Sequence, residues 1–154
     1  MDQTVSSQSS FDAAIDRLID LTLSAGPSEA LTDKYFSHTK HIAEANGDCQ
    51  VTYAVFMRRR VIAALSPACR LIERLAPDAT VKRFFADGEV VLTEQKLMEV
   101  TGPFAQLSEL ETLMLQKVGL PCVAASNAYE MCRAMPSSAF MDMHVCNEFV
   151  YLYV

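Results

Sequence analysis

The sequence predicts an α/β fold of the α+β-like kind, a small domain of mixed helices and strands. Two kinds of periodicity and one kind of punctuation predict it. Apolar residues at helical spacing recur in the first and last thirds. Short β-branched and aromatic runs fill the middle, and Gly and Pro pairs separate the segments. At 154 residues the chain suffices for one domain burying about 68–70% of its unfolded surface.

The elements follow in order. Residues 1–10 are polar, rich in Ser and Gln, and read as a disordered tail. Phe11, Ile15, Leu18 and Ile19 fall on one face of an amphipathic helix that Gly26-Pro27-Ser28 stops. Thr32 is placed to cap a second helix reaching about Ala45, with Asn46-Gly47-Asp48 as its exit turn. Val51 to Met57 has strand composition. Ser66-Pro67 forms an N-cap and N1 pair for a helix that ends before Pro77. Val81–Phe85 and Val90–Leu92, joined through Asp87-Gly88, read as a hairpin. Lys96–Val100 is a further strand. A helix from Gly102-Pro103 to about Val118, a second helix over 124–135 and a short buried strand from Ala139 to Met143 complete the chain.

Composition excludes several function classes. A net charge of −6 gives no general attraction to nucleic acid or anionic membranes. No apolar run approaches the roughly 20 residues that span a bilayer. The N-terminus lacks the basic segment of a signal peptide. Five cysteines are an odd number without CxxC spacing, which predicts reduced thiols and a cytoplasmic protein. His38 and His41, with Asp48 and Cys49 nearby, lack a clearly spaced fourth zinc ligand, so exposed helix histidines are expected.

Five segments carry a resemblance. Leu31-Thr32-Asp33-Lys34-Tyr35 resembles the L-T-D-x-Y motif near the start of nicotinate phosphoribosyltransferases, and Phe56-Met57-Arg58-Arg59 resembles their F-x-R-R. Thr101-Gly102-Pro103-Phe104 and Leu110-Glu111-Thr112-Leu113-Met114-Leu115 resemble their E-G-P turn and L-E-T-x-L-L helix. Ala125-Ser126-Asn127-Ala128 resembles the small-residue helix that follows. The resemblance covers about residues 28–143 and implies the N-terminal mixed helix/strand domain of a type II phosphoribosyltransferase, over 11–136. Residues 137–154 would then hold the first barrel strand and an atypical tail, since His144-Val145-Cys146-Asn147 stands where the family places arginine or Arg-His.

The resemblance implies an enzyme of NAD biosynthesis, a glycosyltransferase and ligase. It joins nicotinate and phosphoribosyl pyrophosphate into nicotinate mononucleotide, coupled to ATP hydrolysis with Mg. It also implies a homodimer or larger assembly, in which each subunit lends residues to its neighbour's site. The residues carried over are Tyr35, to stack on the pyridine ring, and Arg58 and Arg59, to hold phosphates. Stacking contributes about 0.5–1.5 kcal/mol beyond area burial, and guanidiniums match phosphate oxygens and stay charged. The competing expectations are a half-buried core tyrosine and a solvated basic strand end. Leu107, Leu110, Met114 and Val118 form a core stripe, beside which Glu111 reads as a boundary residue or an orienting group. No barrel histidine of the family has a counterpart, so the chain is expected to be an incomplete and inactive fragment. The alternative is a non-catalytic, self-associating module.

Overall fold

The computed structural model describes residues 3–142 and 150–152. Its elements are α1 (Gln3–Ser24), α2 (Ser28–Leu31), α3 (Lys34–Asn46), β1 (Gln50–Phe56), β2 (Val61–Ile62), α4 (Ser66–Leu75), β3 (Thr80–Arg83), β4 (Val90–Val91), β5 (Lys96–Pro103), α5 (Phe104–Ala134), β6 (Phe140–Asp142) and β7 (Val150–Leu152). The expected mixed helix/strand domain is what the chain forms.

A three-stranded antiparallel sheet in the order β1-β5-β3 carries the helices on one face. Residues 51, 53 and 55 of β1 and 98, 100 and 102 of β5 turn toward the helices. Residues 50, 52 and 54 stand exposed on the other face, as the two-residue period of a strand requires. The core joins Val55, Met98 and Val100 to Leu71 and Ile72 of α4 and to Leu107, Leu110, Met114 and Val118 of α5. The stripe read from the sequence is thus the buried face of α5. Arg70 and Arg74 of α4 pair with Asp16 of α1 (3.0 and 3.4 Å), which fastens the first helix to the core.

Several expectations are corrected. The first helix begins at Gln3, within the segment expected to be a tail. Thr32 ends α2 and caps nothing: its hydroxyl donates to the Glu109 carbonyl of α5 (2.6 Å), and Asp33 occupies the N-cap of α3. The expected hairpin at Asp87-Gly88 does not form. β3 pairs with β5, while β4 pairs with β2 in a separate ribbon.

The reason lies in the turn itself. Gly88 adopts φ +90° and its N–H donates to the Ala63 carbonyl, which steers the chain toward β2. Asp87 turns back to accept from the Leu65 and Ser66 N–H groups (2.7 and 3.3 Å) and from Arg83 (2.6 Å). The two last helices are one, α5, with Pro121 inside it. β6 pairs antiparallel with β7. Cys146 and the His144–Asn147 stretch lie outside the described residues.

Candidate functional site

Tyr35 is the second residue of α3, placed there by the Asp33 N-cap, and it is 73% exposed. The half-buried core position weighed for it is therefore wrong. Its ring meets Phe36 edge to face at 5.4 Å, leaving the rest of the phenol open to solvent. An exposed ring of this kind is available for stacking.

Arg58 and Arg59 follow β1 directly, in the turn before β2, and both are exposed. Among the described residues neither makes an ion pair with a carboxylate. Arg60 behaves differently: its guanidinium donates to Glu130 (2.9 Å) and lies over the Tyr129 ring at 5.7 Å. The three-residue basic run thus splits into one arginine fastened to α5 and two whose donors remain for another acceptor. Two adjacent guanidiniums without carboxylate partners among the described residues concentrate positive charge on an acidic chain.

Arg58 also lines an open groove of about 500 Å³ between β1 and α5. Its floor is Tyr53 and Phe56 from the strand and Glu111, Met114 and Leu115 from the helix. Neither Arg59 nor Tyr35 lines it, so the structure does not bring the three predicted residues together in one cavity of this chain.

The groove contains a polar pair that sequence reasoning only half found. Tyr53 and Glu111 line it together. Burial, with the neighbouring Glu111 charge, pushes the Tyr53 phenol up to about 12. Burial also pushes the Glu111 carboxyl above its ordinary range, against the opposing influence of the Tyr53 hydroxyl. Glu111 thus sits at the boundary between the α5 core stripe and this groove, with Tyr53 as its neighbour. The available signal was Glu111 at the margin of the α5 stripe; nothing local marked Tyr53.

A second polar node locks α2 and α3 onto α5. Ser28 donates to Glu109 (2.5 Å) and the Lys40 ammonium pairs with the same carboxylate. Burial works to raise the Glu109 carboxyl, but Lys40 and Ser28 hold it below its ordinary value. This node holds the helix that carries Tyr35. No group of three His, Cys, Asp or Glu able to hold a metal occurs among the described residues.

The sequence of residues 33–120, more than half of the chain, matches the family "Quinolinate phosphoribosyl transferase, N-terminal domain". The chain belongs to this family. The match includes Tyr35, Arg58, Arg59, Tyr53 and Glu111, and it widens the resemblance to nicotinate phosphoribosyltransferases into the broader quinolinate and nicotinate group. No curated protein matches the chain.

Solved structures show the same fold. The nicotinate-nucleotide pyrophosphorylase from Francisella tularensis superposes with a TM-score of 0.65 at 17% identity, covering 79% of this chain and 41% of that one. Human nicotinic acid phosphoribosyltransferase gives 0.60 at 20% identity, over 77% and 32%. The Pyrococcus furiosus nicotinate-nucleotide pyrophosphorylase gives 0.52 at 21%, over 58% and 24%. The chain therefore spans less than half the length of these proteins.

Proposed function

We propose that this chain is the N-terminal portion of a phosphoribosyltransferase of NAD biosynthesis, taking a pyridine carboxylate and phosphoribosyl pyrophosphate. Nicotinate is the expected acceptor and nicotinate mononucleotide the product. The observation that carries the reading is the pair Arg58 and Arg59, exposed and without carboxylate partners among the described residues, within a segment that matches the family. In an assembly these guanidiniums would meet the phosphates of phosphoribosyl pyrophosphate in a neighbouring subunit, and Tyr35 would stack on the pyridine ring. Residues 11–136 would form the contributing domain, and 137–154 would lead toward the barrel, in a cytoplasmic protein. No helix among the described residues is long and apolar enough to cross a membrane.

The physical role of this portion is positioning and charge neutralisation. Two fixed cations beside a departing pyrophosphate stabilise negative charge as it develops. The family resemblance implies Mg and ATP as well. Among the described residues no group of three His, Cys, Asp or Glu is placed to hold a metal.

A direct assay tests the reading. The purified 154-residue chain is expected to form no nicotinate mononucleotide from nicotinate, phosphoribosyl pyrophosphate, ATP and magnesium. In a full-length relative, Ala at the position equivalent to Arg59 is expected to raise KM for phosphoribosyl pyrophosphate far more than KM for nicotinate. Equal effects on both substrates would remove the phosphate role.

A second reading, a non-catalytic self-associating module, is favoured by the apolar residues that α5 leaves exposed, among them Leu120 at 65%. It predicts association without any effect of phosphoribosyl pyrophosphate.

A further inference from the structure

We infer that the outer edge of β1 is a self-pairing surface, on which a second copy of this chain adds its own β1 antiparallel about a two-fold axis at Thr52. β1 is an edge strand, since the sheet order is β1-β5-β3. The Cys49 carbonyl accepts from Phe104 on the β5 side, so by alternation Gln50, Thr52 and Ala54 turn their N–H and C=O groups outward. Those main-chain groups have no partner among the described residues. A row of unpaired groups of this kind is a template for another strand.

The two edges of the sheet are not treated alike. β3, the opposite edge, carries Lys82 and Arg83, charges of the kind that discourage strand addition. β1 reads Gln-Val-Thr-Tyr-Ala-Val-Phe, with no charge, proline or glycine, and its irregularity is confined to Val55/Phe56 at the far end. The open groove beside it supplies the space that side chains of an added strand would need.

The occupant follows from register and charge. On the exposed face Thr80, Thr101 and Thr52 stand side by side across all three strands, and the Thr52 and Thr101 hydroxyls hydrogen-bond at 2.8 Å. The row ends at the edge, on Thr52. A two-fold there sets Thr52 against Thr52 and Gln50 against Ala54 of the partner copy, so each outward N–H meets an outward C=O. The threonine row then continues through a six-stranded sheet, and Thr–Thr neighbours are favourable cross-strand pairs.

The strand ends agree with this direction. Asp48 precedes β1 and Arg58 follows it. Antiparallel copies therefore bring the acidic end of each toward the basic end of the other, which favours that orientation on encounter. An isologous contact of this kind closes at a dimer.

The test uses the whole chain and light scattering at tens of micromolar. A dimer is expected. Thr52→Lys places like charges on the axis and is expected to weaken dimerisation at least ten-fold, as is Thr52→Glu. Mixing the two variants is expected to restore a heterodimer. Ala54→Pro removes an outward N–H from an edge strand, where proline is tolerated, and is expected to give a folded monomer. A monomeric parent chain overturns the proposal. So does a dimer that survives both Thr52 substitutions, because association then runs through another surface such as exposed α5. If Ala54→Pro unfolds, the Thr52 mixing experiment alone decides.

Discussion

Tyr53 on β1 and Glu111 on α5 line one groove at the seam between sheet and helix, and both hold their protons more tightly than usual. Burial is the main cause for each, because a half-buried seam favours the uncharged forms. The carboxylate charge of Glu111 further disfavours the Tyr53 phenolate, in the groove that Arg58 borders.

The pair sets a pH dependence. Glu111 binds its proton more tightly folded than unfolded, so its contribution to stability is present below the ordinary carboxylate range. That contribution is lost as pH rises through the raised folded value. Glu111→Gln keeps the size and shape of the side chain and removes the charge. The variant is expected to be at least as stable as the parent near about pH 7, with the gap closing near about pH 4, where the parent carboxyl is protonated. Urea midpoints at the two pH values check this; a variant markedly less stable at neutrality would show that the charged carboxylate is needed.

Tyr53 gives an independent reading at alkaline pH. Its folded value of about 12 lies above the ordinary tyrosine value of 10.0, so folding stability is expected to fall as pH rises between them. Phenolate absorbance resolves the event. One tyrosine should ionise late in the parent, and Tyr53→Phe should remove that late step.

Asp87 acts as a cap delivered from another part of the chain. Its carboxylate accepts from the Leu65 and Ser66 N–H groups at the start of α4 and also receives Arg83. Asp87→Ala leaves those donors without their partner, and loss of an N-cap costs about 0.5–2 kcal/mol. The expected loss lies in the upper half of that range, because Arg83 also loses its partner. Asp87→Asn, which keeps one acceptor oxygen, should recover part of it in chemical denaturation.

Pro121 sits within α5, where it supplies no N–H for the carbonyl one turn back. Pro121→Ala is expected to raise stability, by up to about 3 kcal/mol if the added N–H completes the helix ladder. A thermal melt with a lower midpoint would mean that the proline ring is needed for the packing of Val118 and Cys122, both buried on either side of it.

These cases also show what the sequence made legible. The α5 stripe from Leu107 to Val118, the β1 composition and the start of α4 near Ser66-Pro67 were readable because local spacing decides them, although the N-cap is Leu65 and Ser66 is already the first helical residue. The family motifs marked Arg58 and Arg59, and the structure leaves both exposed. Long-range partners were not readable. Asp87 looked like half of a hairpin turn, yet its partners lie more than twenty residues away at the start of α4. Thr32 looked like a cap, yet Glu109 claims its hydroxyl. Two helices were expected, to about Val118 and over 124–135, because tertiary packing that keeps a helix continuous through Pro121 leaves no local mark. Tyr53 had no signal at all, since its role depends on Glu111 arriving from another element.

Gly102 gives the most direct steric test. It is buried near the end of β5, where a Cβ would lie 3.0 Å from the Ala79 Cβ and 3.2 Å from the Ala79 Cα. The nearest obstacle is therefore a backbone segment rather than the tip of a flexible side chain. Gly102→Ala must push apart the turn before β3 and the strand beside it, an overpacking that costs about 1–3 kcal/mol. The expected result is a lower denaturation midpoint with an unchanged slope. Ala79→Gly in the same chain removes the opposing Cβ and should return part of the lost stability. If Gly102→Ala is neutral by itself, the close approach of β5 to Ala79 is looser than its geometry requires.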